Sequence, residues 1–238
     1  VLATAPTSSV DIDVLAALGE VTVSDPLITF TTGNWSTPPI ITVTAVQDAI
    51  AEGAHTDLIT FDATSSDGNY DGDDITTGLT VDITDNDTAG IQVSPTSGLA
   101  TTEAGGTAVF NVVLLTQPTA TVTIPINTSD TSEGTIGVAS LVFTTGDWST
   151  PQTVTVTGID DVVDDGPVTY SIILSPPTSA DGQYAAINPS DVSITNADDD
   201  GVDVLFASTS GSNLIYEGGA SDSYTVVLAT VPDRKSVV

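Results

Sequence analysis

The sequence predicts an all-β protein: tandem Ig-like antiparallel β-sandwich repeats of about seven strands each, stacked end to end. Apolar and hydroxyl residues alternate along short segments such as 121–127 and 153–157. Such alternation offers one face of a strand to a core and the other to water. Clusters of Gly, Pro, Asp and Ser separate these segments, which is typical of the turns of a sandwich.

Internal repetition supports the same prediction. The segment FTTGDWSTPQTVTVTG at 143–158 has a near copy, FTTGNWSTPPIITVTA, 113 positions earlier at 30–45. A further match relates YEGGASDSYTVVLATVP at 216–232 to TEAGGTAVFNVVLLTQP at 102–118. A repeat of about 111 to 114 residues has the size of one sandwich domain.

The repeats predict the domain organisation. Residues 1–87 form a repeat that lacks its first strands, 88–200 a complete repeat, and 201–232 the first strands of a third. Residues 233–238, DRKSVV, break the match and are predicted to be a non-native tail, the alternative being a genuine chain end. The incomplete outer repeats predict either a sequence cut from a longer array or strands exchanged between identical subunits.

The strands of the complete repeat follow in order from its pattern. Segments 108–115, 121–127, 153–157, 168–174 and 191–195 are rich in Val, Thr and Ile, which suit a pleated, half-buried surface. No window of helical length carries an apolar stripe, although 48–54 can form a turn.

Charge excludes one class of function. The chain has 32 Asp plus Glu against two Lys plus Arg, and both basic residues lie in the last six positions. Binding to nucleic acid depends on Lys and Arg, so we exclude it. The chain has no Cys, which argues against a disulfide scaffold, and no segment has the length and apolar character of a membrane span.

Acidic residues concentrate in the loops of the complete repeat rather than in its strands. In a sandwich, loops at one end of the domain can meet, and converging carboxylates repel one another unless a cation lies among them. Calcium, Ca2+, takes six to eight oxygen ligands in flexible geometry and fits such a site. The acids in question are Glu103, Asp130, Asp160, Asp161, Asp164, Asp165, Asp198, Asp199 and Asp200.

The order of these segments resembles the Calx-beta repeat. It comprises Glu before a Gly pair, then SDTSEGT, FTTGDWSTPQTVTVTGIDD, a late ADGQY and a final DDD. The resemblance covers essentially all of residues 2–232 and implies a seven-stranded sandwich that binds calcium at one end. It implies acidic ligands at Glu103, Asp130, Asp160, Asp161, Asp165, Asp198, Asp199 and Asp200, with less weight on Asp164, and Glu217 begins the same set in the third repeat.

The first repeat departs from this pattern. Gln47 replaces the first acid of the pair, Leu18 or a neighbour stands where Asp130 would be, and the final run is Asp85-Asn86-Asp87. The ligands that remain are Asp48, Glu52, Asp85 and Asp87. We therefore expect this site to bind fewer calcium ions, or to bind them more weakly.

A second candidate calcium loop begins at Asp67. DGNYDG at 67–72 fits the opening of an EF-hand loop, in which Asp67, Asn69 and Asp71 would supply alternate oxygens. Gly78 stands where such a loop needs its final Glu. The alternative is an ordinary turn rich in Asp and Gly.

Two further residue types invite functional interpretations. Trp35 and Trp148 recur within the repeated segment, which favours closing a sandwich core over stacking on sugars. His55, the only His, is expected to be exposed beside a strand. With no Cys and no nucleophile motif, we predict that the chain is not an enzyme.

Two functions remain after this exclusion. The first is an extracellular structural repeat protein: a calcium-stiffened rod, filament or adhesin segment at the cell surface, whose partners are neighbouring repeats or identical subunits. The alternative is a calcium-dependent module that binds surface glycans or proteins as part of a large surface protein.

Overall fold

Nearly all regular secondary structure among the described residues is β-strand, which confirms the predicted all-β class. A computed structural model describes residues 1–72, 74–209, 217–219, 221 and 223–231. The chain divides into two compact units, Val1–Thr88 and Ala89–Val238. The proposed tail, 233–238, lies outside the described residues, and no helix among the described residues has the length and apolar character needed to cross a membrane.

The first unit contains six strands in two antiparallel sheets. The larger sheet has the order β3-β1-β5-β6 and the smaller pairs β2 with β4. Val10, Val14, Val21 and Ile59 are buried between the sheets. The strands are β1 (Val10–Ala16), β2 (Val21–Val23), β3 (Leu27–Phe30), β4 (Val43–Ala45), β5 (His55–Ser65) and β6 (Asp74–Ile83).

The second unit is a complete two-sheet sandwich. One sheet has the order β12-β10-β14-β15-β8 and the other β11-β13-β9-β7. Its strands are β7 (Ile91–Ser94), β8 (Leu99–Thr102), β9 (Thr107–Leu114), β10 (Val122–Thr128), β11 (Gly134–Ile136), β12 (Ser140–Phe143), β13 (Gln152–Gly158), β14 (Val168–Leu174) and β15 (Val192–Ala197). One short helix, α1 (Gly182–Ala185), precedes β15, and a separate pair follows, β16 (Val204–Ser208) with β17 (Tyr224–Leu228).

The sandwich has nine strands where the resemblance implies seven, and one of the two additional strands arises because the chain changes sheets early. β7 pairs with β9 in one sheet, whereas β8 runs parallel to β15 in the other. Pro95 lies between them and has no N–H for either ladder, so the strand ends there. This crossing places the end of β8 beside the end of β15, which decides where Glu103 lies.

Alternation in the sequence becomes alternation in burial. Alternate residues of β9 and β10 are buried, among them Phe110, Val112 and Ile124. Trp148 packs against this core while staying half-buried, which confirms that it closes the core.

The repeated FTTG(D/N)WSTP segment forms the same turn in both units. In the second, the backbone N–H of Thr144 donates to Asp147 Oδ1 over 2.6 Å. In the first, the N–H of Thr31 donates to Asn34 Oδ1. Asp and Asn interchange here because either side chain offers the oxygen that the turn needs. The repetition is therefore structural.

A buried tyrosine ties α1 to the loop after β9. The hydroxyl of Tyr184 donates to Thr116 O over 2.6 Å and accepts from the N–H of Thr116 over 3.1 Å. Tyr70 makes a similar bond to Thr4 O, 2.7 Å long, in the first unit. Tyr184 is 1% exposed, so water cannot take the place of its hydroxyl as the hydrogen-bond partner of Thr116.

Tyr184→Phe is expected to lower the free energy of unfolding by about 1–3 kcal/mol, because it leaves a buried N–H and C=O unpaired. Tyr70→Phe is the matched control and should cost less, since Tyr70 is half-buried. Calorimetric unfolding of the two variants measures the difference. Equal losses would contradict the role given to burial.

Candidate metal centre

Glu103 is a buried carboxylate at the end of β8. Its N–H donates to Ala197 O over 3.0 Å, which continues the pairing of β8 with β15. The turn that follows closes through the N–H of Gly105 on Thr102 O, and Gly105 has a φ of +82°, a conformation that favours glycine. Glu103 is therefore 4% exposed and held by backbone on both sides.

Four aspartates surround this glutamate. Carboxylate oxygens of Glu103, Asp198 and Asp200 all lie within 4.8 Å of one another, and so do those of Glu103, Asp160 and Asp199. The backbone N–H of Asp199 also donates to Glu103 Oε2 over 3.3 Å. We call these five residues the Glu103 cluster. It joins three of the acidic segments that the sequence analysis singled out.

The electrostatics of the Glu103 cluster favour a proton or a cation. Burial, together with the charges of Asp198 and Asp161, raises the pKa of Glu103 to about 7. Burial and the neighbouring carboxylates also raise the pKa of Asp200. In contrast, N–H donors from Asp200 and Gly166 lower the pKa of Asp198. Asp198 is thus ionised beside Glu103 and Asp200, whose negative charges cost free energy in the absence of a counter-ion.

One oxygen of the cluster has no partner. Oδ2 of Asp200 is buried and accepts no hydrogen bond among the described residues. A buried acceptor of this kind costs free energy unless a donor, a water or an ion reaches it. Together with an all-carboxylate donor set, it makes the residues present a fit for calcium, a hard cation that binds oxygen.

Other acids in the long loop hold that loop in place. Asp161 Oδ1 accepts from the N–H of Val163 over 2.7 Å, and Asp164 Oδ2 from the N–H of Val202 over 2.9 Å. Asp161 still contributes its charge to Glu103, and Asp165 contributes to Glu133. None of these three predicted ligands belongs to either of the two groups of carboxylates that meet around Glu103.

Asp130 stands apart from that cluster. Its Oδ1 accepts from both the N–H and the hydroxyl of Ser132, and the side-chain and backbone bonds from Ser132 lower its pKa. In the structure this carboxylate closes its own turn, and it joins neither close group around Glu103. Its role as a ligand remains a prediction from the resemblance.

The sequence analysis missed Glu133, three residues further along the same loop. Glu133 is 6% exposed, and burial raises its pKa. Asn196 Nδ2 donates to its Oε2 over 3.3 Å. Comparing the repeats could have found it, because Glu20 stands at the corresponding place, one residue before β2 as Glu133 is one residue before β11.

In the first unit the predicted ligands mostly bind backbone. Asp85 Oδ2 accepts from the N–H groups of Glu52 and Gly53 over 2.7 and 2.8 Å, and Asp48 Oδ1 from that of Ile50 over 2.8 Å. Gln47 Nε2 lies 3.3 Å from Asp87 Oδ2 and donates to it. Of these four acids, only Glu52 joins a group of potential ligands, with Glu20 and His55.

The Asp67 loop has a structural role. Asp67 Oδ2 accepts from the N–H and hydroxyl of Thr7, both at 2.8 Å, and Oδ1 from the N–H and side-chain amide of Asn69. These bonds lower its pKa to about 2. Asp71 accepts from the N–H of Ser65 over 3.3 Å. The two oxygens of Asp67 are thus engaged by the protein, as in an ordinary turn.

In the third repeat, Glu217 is exposed in a turn. It joins none of the potential ligand groups among the described residues.

Comparisons with known proteins give distant structural similarity alone. No protein-family model matches the chain, and no curated protein matches its sequence. The apo form of the Calx CBD1 domain is 19% identical, covers 46% of this chain and 96% of its own, and has a TM-score of 0.36. CBD12 from CALX1.2 is 16% identical over 74% of this chain and 70% of its own, with a TM-score of 0.36.

A third structure, domains 4 and 5 of the S-layer protein SbsC, is 15% identical over 79% of this chain and 70% of its own, with a TM-score of 0.33. Similarity at this level assigns no function to the chain.

Proposed function

We propose that the chain is a segment of an extracellular repeat protein in which calcium stabilises the acidic end of a repeat. The observation that carries this proposal is Glu103, a buried carboxylate with a raised pKa. It lies within 4.8 Å of oxygens from Asp198 and Asp200, one of which has no partner. The sequence resemblance to Calx-beta repeats supports the same function.

Calcium would join parts of the chain that are distant in sequence. Glu103 follows β8, Asp160 follows β13, and Asp198, Asp199 and Asp200 follow β15. An ion shared by these carboxylates fixes three loop positions and removes their repulsion. Because the last of them directly precede the third repeat in sequence, we propose that calcium stiffens the chain there, as a rod or adhesin segment requires.

A calcium titration by calorimetry tests the proposal. Glu103→Gln and Asp200→Asn are each expected to weaken calcium binding by about tenfold or more, because each removes a carboxylate from the site. Asp82→Asn is the control, since Asp82 is exposed on β6 and its loss removes one negative charge outside the predicted ligands. Equal losses in all three variants would contradict a site centred on Glu103 and indicate a diffuse acidic surface.

Calcium binding is expected to depend on pH through Glu103. Calcium needs the ionised carboxylate, so affinity should fall as the pH drops below about 7, where burial places the pKa of Glu103. Glu103→Gln should lose this part of the dependence. An unchanged pH profile in that variant would contradict the role of Glu103.

Without calcium, Glu103 should also make stability depend on pH. The carboxyl keeps its proton up to about pH 7 when folded but only to about 4.5 when unfolded. Its contribution to stability is therefore lost as the pH rises from about 4.5 to 7. Unfolding of the chain and of Glu103→Gln in a chelator measures this difference.

A further inference from the structure

The first unit carries a cluster of different chemistry from the Glu103 cluster. Oxygens of Glu20 and Glu52 and a ring nitrogen of His55 all lie within 4.8 Å of one another. Nε2 of His55 is 3.7 Å from Glu20 Oε2 and 3.5 Å from Glu52 Oε2. The three side chains line a cavity of about 140 Å³. The cluster contains the chain's only His.

The imidazole is held in one orientation. His55 opens β5, and its Nδ1 lies 2.8 Å from Gly53 O. When Nδ1–H donates to this carbonyl, Nε2 faces the two glutamates, and in the neutral imidazole Nε2 carries the lone pair that a metal ion needs. A backbone carbonyl behind the ring is the arrangement that orients His in metal sites. The side chain is 24% exposed, so it is less open to water than the sequence suggested.

Two aspartates hold the backbone at the two glutamates. Asp57, 1% exposed, accepts from the backbone N–H groups of Leu18, Glu20 and Val21. Asp85 accepts from the N–H groups of Glu52 and Gly53. The loop before β2 and the turn before β5 are therefore both tied down. The backbone beneath the cluster is therefore fixed, although the Glu52 side chain itself is exposed.

The distances are close to those of a small coordination sphere. Zinc binds His nitrogen and carboxylate oxygen at about 2.0–2.2 Å, and tetrahedral bonds of that length place ligand atoms about 3.3–3.6 Å apart. The two distances from Nε2 are 3.5 and 3.7 Å. Calcium, in contrast, needs six to eight oxygens and has no preference for imidazole.

We propose that Glu20, Glu52 and His55 form a site for a divalent transition-metal ion of the zinc type, distinct from the calcium site of the second unit. Two carboxylates neutralise the charge of the ion, and the cavity leaves room for water as a fourth ligand. The second unit cannot form this site. Val168, which opens β14, stands in place of His55.

Zinc titration of the full chain, followed through the imidazole resonances of its only His, tests this proposal. Zinc should shift the Nε2 resonance of His55, whereas calcium or magnesium at the same concentration should leave it in place. Glu20→Gln, Glu52→Gln and His55→Gln should each weaken zinc binding at least about tenfold. Glu103→Gln should bind zinc unchanged, which separates this site from the proposed calcium site.

Asp87→Asn is the matched control, because Asp87 lines the same cavity but stands outside the triad. It should weaken zinc binding by less than about threefold, as expected of a nearby solvated charge. Two results would overturn the proposal. One is an Nε2 resonance that zinc does not shift, which leaves only an ion pair between His55 and the glutamates. The other is a loss in Asp87→Asn as large as that in Glu52→Gln.

Discussion

Calcium at about 100 times its dissociation constant is expected to raise the melting temperature of the second unit by about 10 °C relative to a chelator. Such binding contributes about 2.7 kcal/mol, and 1 kcal/mol shifts the midpoint of a domain of this size by about 4 °C. Scanning calorimetry of the full chain measures the shift.

Asp200→Asn should affect the melting temperature differently in a chelator and in calcium. In the chelator it should melt no lower than the unmodified chain, because it removes a carboxylate that burial and its neighbours disfavour. In calcium it should lose most of the shift. Asp82→Asn, exposed on β6, is the control and should keep the full shift. A calcium effect that survives Asp200→Asn would contradict the site.

Gly158→Ala is expected to destabilise the second unit by about 1–3 kcal/mol through overpacking, and so to lower its melting temperature by roughly 4–12 °C. A Cβ at Gly158 would collide with Thr102 O and Asn196 Oδ1. Because Thr102 directly precedes Glu103, relief of this collision should displace the site and weaken calcium binding as well.

Gly137→Ala provides the control for this substitution. A Cβ there meets nothing within 4 Å, so the same chemical change should leave both the midpoint and the calcium response nearly unchanged. If Gly158→Ala behaved like Gly137→Ala, the close approach of β8 to the end of β13 would be contradicted.

The sequence alone predicts the strands and part of the site. Strand alternation is local, so segments such as 121–127 and 168–174 are recognisable without knowing their neighbours. Acids beside predicted strands are recognisable for the same reason, such as Glu103 before segment 108–115 and Asp198 after segment 191–195. Their convergence needs only the rule that loops at one end of a sandwich can meet.

Contacts between distant segments escape such reasoning. Gly158 looks like a strand residue, and Ala45 occupies its place in the first repeat. A side chain cannot fit at Gly158 because Thr102 in β8 and Asn196 in β15 fill the space. This becomes evident only when β8 is placed beside β15. Asp57 lies within β5 and looks like an ordinary solvent-facing residue, yet it is buried and accepts hydrogen bonds from three backbone N–H groups of the start of β2 and the loop before it.

The difference between a ligand and a turn-forming acid is equally hidden. In the sequence, three acids look like free carboxylates in acidic loops: Asp67, Asp85 and Asp130. In the structure, each accepts hydrogen bonds from nearby N–H groups. Glu133 reads as one acid among several, yet it is buried. Which oxygens are already satisfied depends on backbone placement, and a sequence does not state it.

A crystal structure of the chain grown with calcium tests the central claim most directly. The account predicts an ion bound by carboxylate oxygens of Glu103, Asp198 and Asp200, with Oδ2 of Asp200 among its ligands. A structure at saturating calcium and pH 8 in which no ion contacts Glu103 or Oδ2 of Asp200 would contradict it.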